Sequence, residues 1–306
     1  MKLTVGICTW NRAAYLDKNL SGMYALEIPP EVEWELLIVN NNCTDHTDEV
    51  ISKHLDKLPI RRIFESRPGK SFALNHAINE ANGDYIIWTD DDAQVNSPWL
   101  KAYYNAFIKY PDVTFFGGPV KPWFEGTPPL WLEKSIYKLN DAYALLEPDD
   151  DLLISNKYHI PNGINWAIRT KEQKKYLYDT RLGPRPNSSL RGEEGVLMIK
   201  MLKDGLKGRW VPEAVVQHLV PKSRQTIHFL RGYYRGAGEF QTLHAKAYNG
   251  PTLFGKPRWR WRDACQKELQ YRISRLRRGP EDWMEDLINA SIAWGRLLGG
   301  GKNPVR

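Results

Sequence analysis

Tyr85-Ile86-Ile87-Trp88-Thr89-Asp90-Asp91-Asp92 carries four apolar residues and a threonine straight into three consecutive carboxylates. An apolar run of this length, preceded by Gly83-Asp84, reads as a strand covered on both faces, the kind found in parallel sheets. Three adjacent carboxylates repel one another, so the end of such a strand is a costly place for them unless positive charge is near. In an extended chain Asp90 and Asp92 project to one side and Asp91 to the other. The outer pair can then face one hard, oxygen-preferring cation such as Mg²⁺ or Mn²⁺. A solvated acidic turn is the alternative reading.

Outward from this stretch the pattern repeats. Upstream, Leu3 to Thr9, Glu35 to Val39 and Arg61 to Phe64 read as strands. Asn11 to Tyr24, Asp45 to Leu58 and Ser71 to Asn82 carry helical spacing between and after them. Downstream come a strand at Phe115 to Val120, a Pro- and Trp-rich loop or lid at Lys121 to Leu132 and a strand at Ile164 to Arg169. A helix at Glu193 to Asp204 and a closing strand at Ala214 to His218 follow. The alternation predicts an α/β fold with a mostly parallel central sheet flanked by helices. Polar residues gather after successive strands: Thr9, Asn11 and Arg12, then Asn40, Asn42 and Asp45, then Lys70, then the aspartate triplet. Open parallel sheets keep their ligand crevice at these carboxyl ends.

At 306 residues, 42% hydrophobic and 26% charged, the chain is excluded from the disordered, collagenous and disulfide-scaffold classes. It is long enough for one large domain or two smaller ones. No run reaches the roughly 18 apolar residues of a membrane span, and no apolar signal region follows Lys2, so a cytoplasmic protein is expected. Cys8, Cys43 and Cys265 lack CxxC spacing and read as reduced thiols. The net charge of +7 is concentrated in the tail: residues 251 to 306 hold 12 Lys and Arg against 6 Asp and Glu. Such a segment suits an anionic membrane, a nucleic acid or an acidic acceptor, or is a solvated helical face.

The ordered set Leu3-Thr-Val-Gly-Ile-Cys-Thr-Trp-Asn-Arg12, Asp45, Gly69-Lys-Ser-Phe-Ala-Leu-Asn75, Gly83-Asp84 and Thr89-Asp-Asp-Asp92 resembles the family 2 glycosyltransferases of GT-A fold. Gly163-Ile-Asn-Trp-Ala-Ile-Arg169, Gly192-Glu-Glu194 and Val215-Val-Gln-His218 continue the likeness, which covers roughly residues 3 to 235. The resemblance implies inverting transfer of a sugar from a nucleoside diphosphate donor to an acceptor hydroxyl, assisted by Mn²⁺ or Mg²⁺. It implies metal contacts from Asp92, Asp90 and His218, with Asp92 the first choice of direct ligand. Asp90 and Asp91 would meet ribose or metal-bound water.

The same likeness assigns the general base to the acidic pair at a helix start. Glu194 is the expected base, and Glu193 is the alternative because relatives more often carry the shorter aspartate. Thr9, Asn11, Arg12, Asn40, Asn42, Asp45, Lys70 and Asn75 stand at donor-contact positions. Asn40 takes the place of a base-reading aspartate, which suits uracil or guanine, with UDP-sugar favoured over GDP-sugar. Arg224 and Arg231 are candidates for the diphosphate. A QxxRW motif and membrane spans, marks of the processive synthases, are absent, so single-residue addition is expected.

Residues 1–220 are expected to form the catalytic domain, with a donor half to about 120 and an acceptor half after it. Residues 221–306 would form a basic, aromatic-rich, mainly helical extension. Its segment 256–278 is a candidate for peripheral contact with the inner membrane face, with a solvated helix or a dimer contact as alternatives. The acceptor would be a carbohydrate or a lipid-linked one, and no nucleic acid is expected. Oligomeric state is unassigned. Trp123, Trp131 and Trp166 are candidates for stacking on sugars or for the core. A nucleotidyltransferase and a catalytically silent assembly module are the competing functions.

Overall fold

Alternate residues of single strands build two separate cores. Along β2 (Glu33–Asn40), Leu36 and Ile38 join one cluster while Leu37 and Val39 join another. Along β4 (Tyr85–Trp88), Tyr85 and Ile87 divide from Ile86 and Trp88 in the same way. A period of two with both faces apolar is a sheet covered by helices on each side. The computed structural model describes residues 1–148, 152–154, 160–185, 192–243 and 248–299. The chain divides into two compact units, Met1–Trp123 with Ala144–Leu219, and Phe124–Tyr143 with Val220–Arg306.

In the first unit, β1 (Lys2–Thr9), α1 (Ala13–Gly22), β2, α2 (Thr47–Lys53), β3 (Ile60–Phe64), α3 (Lys70–Glu80) and β4 follow in turn. They are succeeded by β5 (Ala93–Val95), α4 (Trp99–Lys109), β6 (Phe115–Gly117) and β7 (Val120–Phe124). The main sheet has the order β3-β2-β1-β4, continued by three strands of the later chain around β6. These are β8 (Leu153–Ile154), β9 (Trp166–Arg169) and β10 (Gly208–Trp210), and the sheet closes as β4-β9-β6-β10-β8. Strands β3, β2, β1 and β4 are mutually parallel, whereas β9 runs antiparallel to both β4 and β6. Strand order turns at β1: the chain moves outward to β2 and β3, then returns to the other side as β4. That switch point opens a crevice at the carboxyl ends of β1 and β4. Helix α8 (Glu193–Lys203) covers the second core through Leu197, Met198 and Met201. A small ribbon, β5-β11-β7, adds β11 (Val216–Val220) antiparallel to β5, with His218 opposite Ala93.

Several elements differ from the sequence reading. The helix expected over Asp45 to Leu58 is the seven-residue α2, because His54 already takes a turn-like bond to Ile51. The strand expected at Phe115 to Val120 is split by Gly118-Pro119. A Cβ on Gly118 would lie 2.1 Å from the Ala214 carbonyl oxygen, so only glycine allows this crossing. The expected loop at Lys121 to Leu132 is in part strand β7 and in part the start of α5 (Leu130–Ser135).

The second unit is helical as expected. It holds α5, α6 (Asn140–Tyr143), α9 (Ile227–Leu243), α10 (Arg258–Arg277) and α11 (Pro280–Leu298). The short hairpin of β12 (Thr252–Leu253) and β13 (Lys256–Pro257) precedes α10. Helices α9 and α11 cross through glycines: a Cβ on Gly295 would stand 2.1 Å from the Arg235 carbonyl oxygen, and one on Gly238 2.2 Å from that of Ile292. The last basic residues of the tail, Lys302 and Arg306, lie outside the described residues.

Candidate active site

The crevice at the ends of β1 and β4 is built by charge pairing. Thr9, the last residue of β1, donates its hydroxyl to Asp91 Oδ2 at 2.7 Å. Arg12, just before α1, reaches Asp91 Oδ1 at 2.9 Å and Asp92 Oδ2 at 2.8 Å through one guanidinium nitrogen. Burial works against the Arg12 charge, but the carboxylates of Asp91 and Asp92 outweigh it and hold the guanidinium firmly protonated. Burial pushes the Asp91 carboxyl up to about 6, opposed by Arg12 and helped by Asp92 and Asp90. Asn19 of α1 donates to the Asp90 carbonyl at 2.8 Å and so fixes the backbone of the triplet.

A second cluster adjoins the first. Lys70 Nζ, at the start of α3, is 3.1 Å from Asp90 Oδ1 and 3.1 Å from Glu194 Oε1. Burial disfavours the Lys70 charge, yet Asp90, Glu194 and Glu193 together raise its pKa well above the ordinary value. The acidic pair opens α8 after Gly192, whose φ of 99° is left-handed and readily tolerated by glycine. Burial would raise Glu194, but Lys70 prevails and lowers it below the usual carboxylate value. Glu193 goes the other way: burial first, then the neighbouring Glu194, pushes it up to about 7. One member is thus kept ionised and the other is the natural home of a shared proton.

The sequence-predicted residues separate into those that meet and those committed elsewhere. Thr9, Arg12, Lys70, Asp90, Asp91, Asp92, Glu193, Glu194 and His218 converge through the contacts above, His218 Nε2 lying 3.6 Å from Asp92 Oδ1. Asn11 and Asn42 adopt left-handed φ of 53° and 57°. Asn11 Oδ1 accepts from the Thr44 N–H at 2.7 Å, which laces the β1 loop to the β2 loop. Asn40 donates to Asp48 at 2.7 Å and accepts from the Cys43 N–H at 2.8 Å, holding its own turn. Asp45 accepts from the N–H groups of Ala13 and Thr47 and from the Thr47 hydroxyl, so it ties the starts of α1 and α2.

Asn75 is paired on both its oxygen and its nitrogen with the Tyr178 backbone, at 2.8 and 2.9 Å. Arg224 and Arg231 belong to the second unit. There Arg231 makes a forked pair with Glu268, 3.0 Å at each nitrogen. Of the tryptophans, Trp166 is 0% exposed and belongs to the core, which removes it from sugar stacking. Trp123 lies under Lys18 Nζ at 3.7 Å, and Trp131 packs on Trp283.

Four further residues shape the site, and the sequence reading gave them no role. Asn41 accepts from the Gly69 N–H at 3.0 Å and donates to the Arg67 carbonyl at 2.7 Å, securing the loop that presents Lys70. Asn19 acts on Asp90 as described. Gly163 leaves room for the base candidate, since a Cβ there would lie 2.3 Å from Glu194 Oε1. The Tyr178 hydroxyl is buried and has no hydrogen-bond partner among the described residues, and Glu194 and Lys70 act on it electrostatically. Gly163 opens the Gly163–Arg169 motif of the sequence without a role assigned to it, and for Asn41 the neighbours Asn40 and Asn42 were the nearest clue.

A divalent cation fits one edge of this arrangement. Asp92 and His218 bring a carboxylate oxygen and an imidazole nitrogen within 3.6 Å of each other on two strands locked in register. Among the described residues no third His, Cys, Asp or Glu completes the group. Two protein ligands with the remainder from water and phosphate oxygens is the habit of Mg²⁺ in nucleotide sites.

Comparisons with known proteins agree with this fold. The sequence profile of Glycosyl transferase family 2 matches residues 4–176. TarS of Staphylococcus aureus, a poly(ribitol-phosphate) beta-N-acetylglucosaminyltransferase, is 26% identical over 103 residues, covering 33% of this chain and 18% of TarS. The succinoglycan biosynthesis protein ExoM of Rhizobium meliloti is 21% identical over 177 residues, 53% of this chain and 57% of ExoM. The matches thus span less than two thirds of either relative. Among solved structures, the mannosyltransferase PcManGT of Pyrobaculum calidifontis, in complex with GDP-Man and Mn²⁺, superposes with a TM-score of 0.59 at 16% identity. That superposition covers 97% of this chain and 87% of PcManGT. S. aureus TarS 1-349 in complex with UDP gives 0.52 at 18%, over 96% and 90%. These structures share the GT-A architecture. With its profile match spanning more than half of the residues, the chain belongs to glycosyl transferase family 2.

Proposed function

We propose that the protein is a metal-dependent, inverting glycosyltransferase that moves one sugar from a nucleoside diphosphate donor to an acceptor hydroxyl. The observation that carries this reading is the position of Lys70, equidistant at 3.1 Å from Asp90 of the donor crevice and from Glu194. It joins the two halves of a displacement reaction: a cluster suited to a departing diphosphate and a carboxylate kept ionised to receive a proton. Glu194 takes the acceptor hydroxyl proton as the bond to the sugar forms, and Lys70 holds it in the basic form until then. Glu193 stays neutral and spares the site a second negative charge. Asp91 and Asp92, held by Arg12 and Thr9, orient the donor end, where Asp90 is positioned to meet ribose. Asp92 and His218 would hold the divalent ion, Mn²⁺ or Mg²⁺. When bound, it supplies electrostatic stabilisation to the leaving diphosphate.

UDP-sugar is the favoured donor and GDP-sugar the second, in keeping with TarS crystallised with UDP and PcManGT with GDP-Man. The acceptor is a carbohydrate or lipid-linked molecule of cell-surface assembly, as the names of TarS and ExoM suggest. The reaction takes place on the cytoplasmic side, at the membrane face where such acceptors are built. No helix among the described residues is long and apolar enough to cross a membrane. Thermal-shift screening of UDP, GDP, CDP and dTDP with and without Mn²⁺ identifies the donor base, because a ligand of the native state raises its apparent stability. With that donor, released nucleoside diphosphate supports the reading, and released pyrophosphate replaces it with nucleotidyl transfer. Glu194→Gln should lower kcat by about 10²- to 10⁴-fold while the nucleotide-induced shift persists. Unchanged turnover would remove Glu194 from the role of base.

A further inference from the structure

Helix α10 has two apolar faces, and the second unit covers only one of them. On the inward face Ala264 packs with Ala293 and Leu297 of α11, Tyr271 meets the Trp283 ring edge-on at 6.2 Å, and Glu268 holds Arg231 of α9. On the outer face Cys265, Leu269, Ile273 and Leu276 follow one another at spacings of four, four and three, a single stripe about 17 Å long, with Trp261 at its head packed in part against the Ala264 cluster. Leu269, Ile273 and Leu276 are 60%, 43% and 87% exposed. Isolated exposed leucines are ordinary, but a stripe of them on a helix already anchored by its other side is an unpartnered surface.

The hairpin of β12 and β13 extends this surface. Phe254 and Gly255 at its tip have left-handed φ of 49° and 71°, the turn that a two-residue hairpin requires. An aromatic residue is rare in that conformation, and here it leaves the Phe254 ring 84% exposed and in edge contact with Trp261 at 5.9 Å. Trp261 Nε1 donates to the Leu253 carbonyl at 2.9 Å, which ties the hairpin to the head of the stripe.

The charges around the stripe identify what it faces. From Thr252 to Arg278 the sequence has nine Lys and Arg against two acids, a net charge equal to that of the entire chain. Both acids are neutralised internally, Asp263 by Lys267, and Glu268 by Arg231 and Arg272. Arg258, Arg262, Arg277 and Arg278 are exposed and make no ion pair among the described residues. A second copy docking by this face would bring unpaired arginines against unpaired arginines. A nucleic acid would meet the arginines but leave the aliphatic centre without a counterpart. An apolar stripe with an aromatic tip and a cationic border matches a bilayer rich in anionic headgroups, into which aliphatic side chains dip while guanidinium groups stay at the phosphates.

We propose that α10 and the Leu253-Phe254 hairpin tip form a docking surface for an anionic lipid membrane. The surface lies in the second unit and stands independently of the sugar-transfer reading. The test is co-sedimentation of the full chain with phosphatidylcholine vesicles and with mixed phosphatidylglycerol and phosphatidylcholine vesicles. Binding is expected only with the anionic vesicles and should weaken as salt is raised. Arg258→Ala with Arg262→Ala should weaken it roughly fivefold per arginine. Phe254→Ser with Leu276→Ser should abolish most of the remaining affinity. Both double variants should keep the wild-type melting temperature and nucleoside diphosphate shift, which separates lost docking from lost folding or a lost donor site. Equal binding to neutral vesicles, no binding to either, or affinity unchanged in Leu276→Ser and Phe254→Ser would overturn the proposal. So would a sedimentation dimer that Leu276→Ser dissolves, or RNA binding that outcompetes the vesicles.

Discussion

Glu193 and Glu194 are neighbours in sequence with opposite electrostatics, and the difference comes from which of them reaches Lys70. The folded-state pKa of Glu193 lies above its ordinary value. Its contribution to stability is therefore greatest below the unfolded value and declines as pH rises toward about 7. Glu193→Gln is expected to raise the melting temperature at pH 8, by roughly 2–4 °C, and to have little effect near pH 4. Equal effects at both pH values would contradict the assignment of the proton to Glu193. Gly163→Ala tests the same region by geometry. Its added methyl must displace the Glu194 carboxylate, so kcat should fall by about 10- to 100-fold with the donor KM unchanged. A KM effect alone would place Gly163 on the donor side. That Asp90, Asp92, Glu194 and His218 belong to one site was expected from the family resemblance, and the structure brings them together. The bridging Lys70 was visible only as a donor contact, because its second partner lies more than a hundred residues away.

At the scale of elements, the sequence was most readable where periodicity and punctuation coincide. β1, β2, β4 and α3 have long apolar runs or clean caps, and their expected bounds agree with the structure to within two residues or so. α2 falls short because the segment after His54 turns rather than continues, while Asp45 ties the starts of α1 and α2. Asp45→Ala should cost about 1–2 kcal/mol in urea unfolding, the usual loss of a helix cap. A smaller change would show that water replaces the carboxylate at both helix starts. The three-residue strands β5 and β10 escape a sequence reading for a different reason. Each is too short for periodicity to declare itself, and each exists because a neighbouring strand supplies its hydrogen bonds.

At the scale of the whole molecule, Asp92 and His218 are brought together only by the antiparallel register of β5 and β11. A divalent ion bound there with nucleoside diphosphate should slow amide hydrogen exchange in both Ala93–Val95 and Val216–Val220, and a chelator should reverse it. Protection confined to the first strand would remove His218 from the ligand set. The basic balance noted in the tail belongs to the helical unit, whereas the proposed catalytic cluster lies wholly within the α/β unit, so the charge and the proposed chemistry are carried by different parts of the chain.

The insertion of β9 between β4 and β6, and of β11 beside β5, also sets a timetable. A chain emerging from the ribosome displays the aspartate triplet early, yet its sheet stays divided until residue 169 has joined, and the histidine arrives some fifty residues later still. Through most of its synthesis the nascent protein therefore holds the proposed site only in pieces. Its completion comes in one late step, when β11 takes its place beside β5.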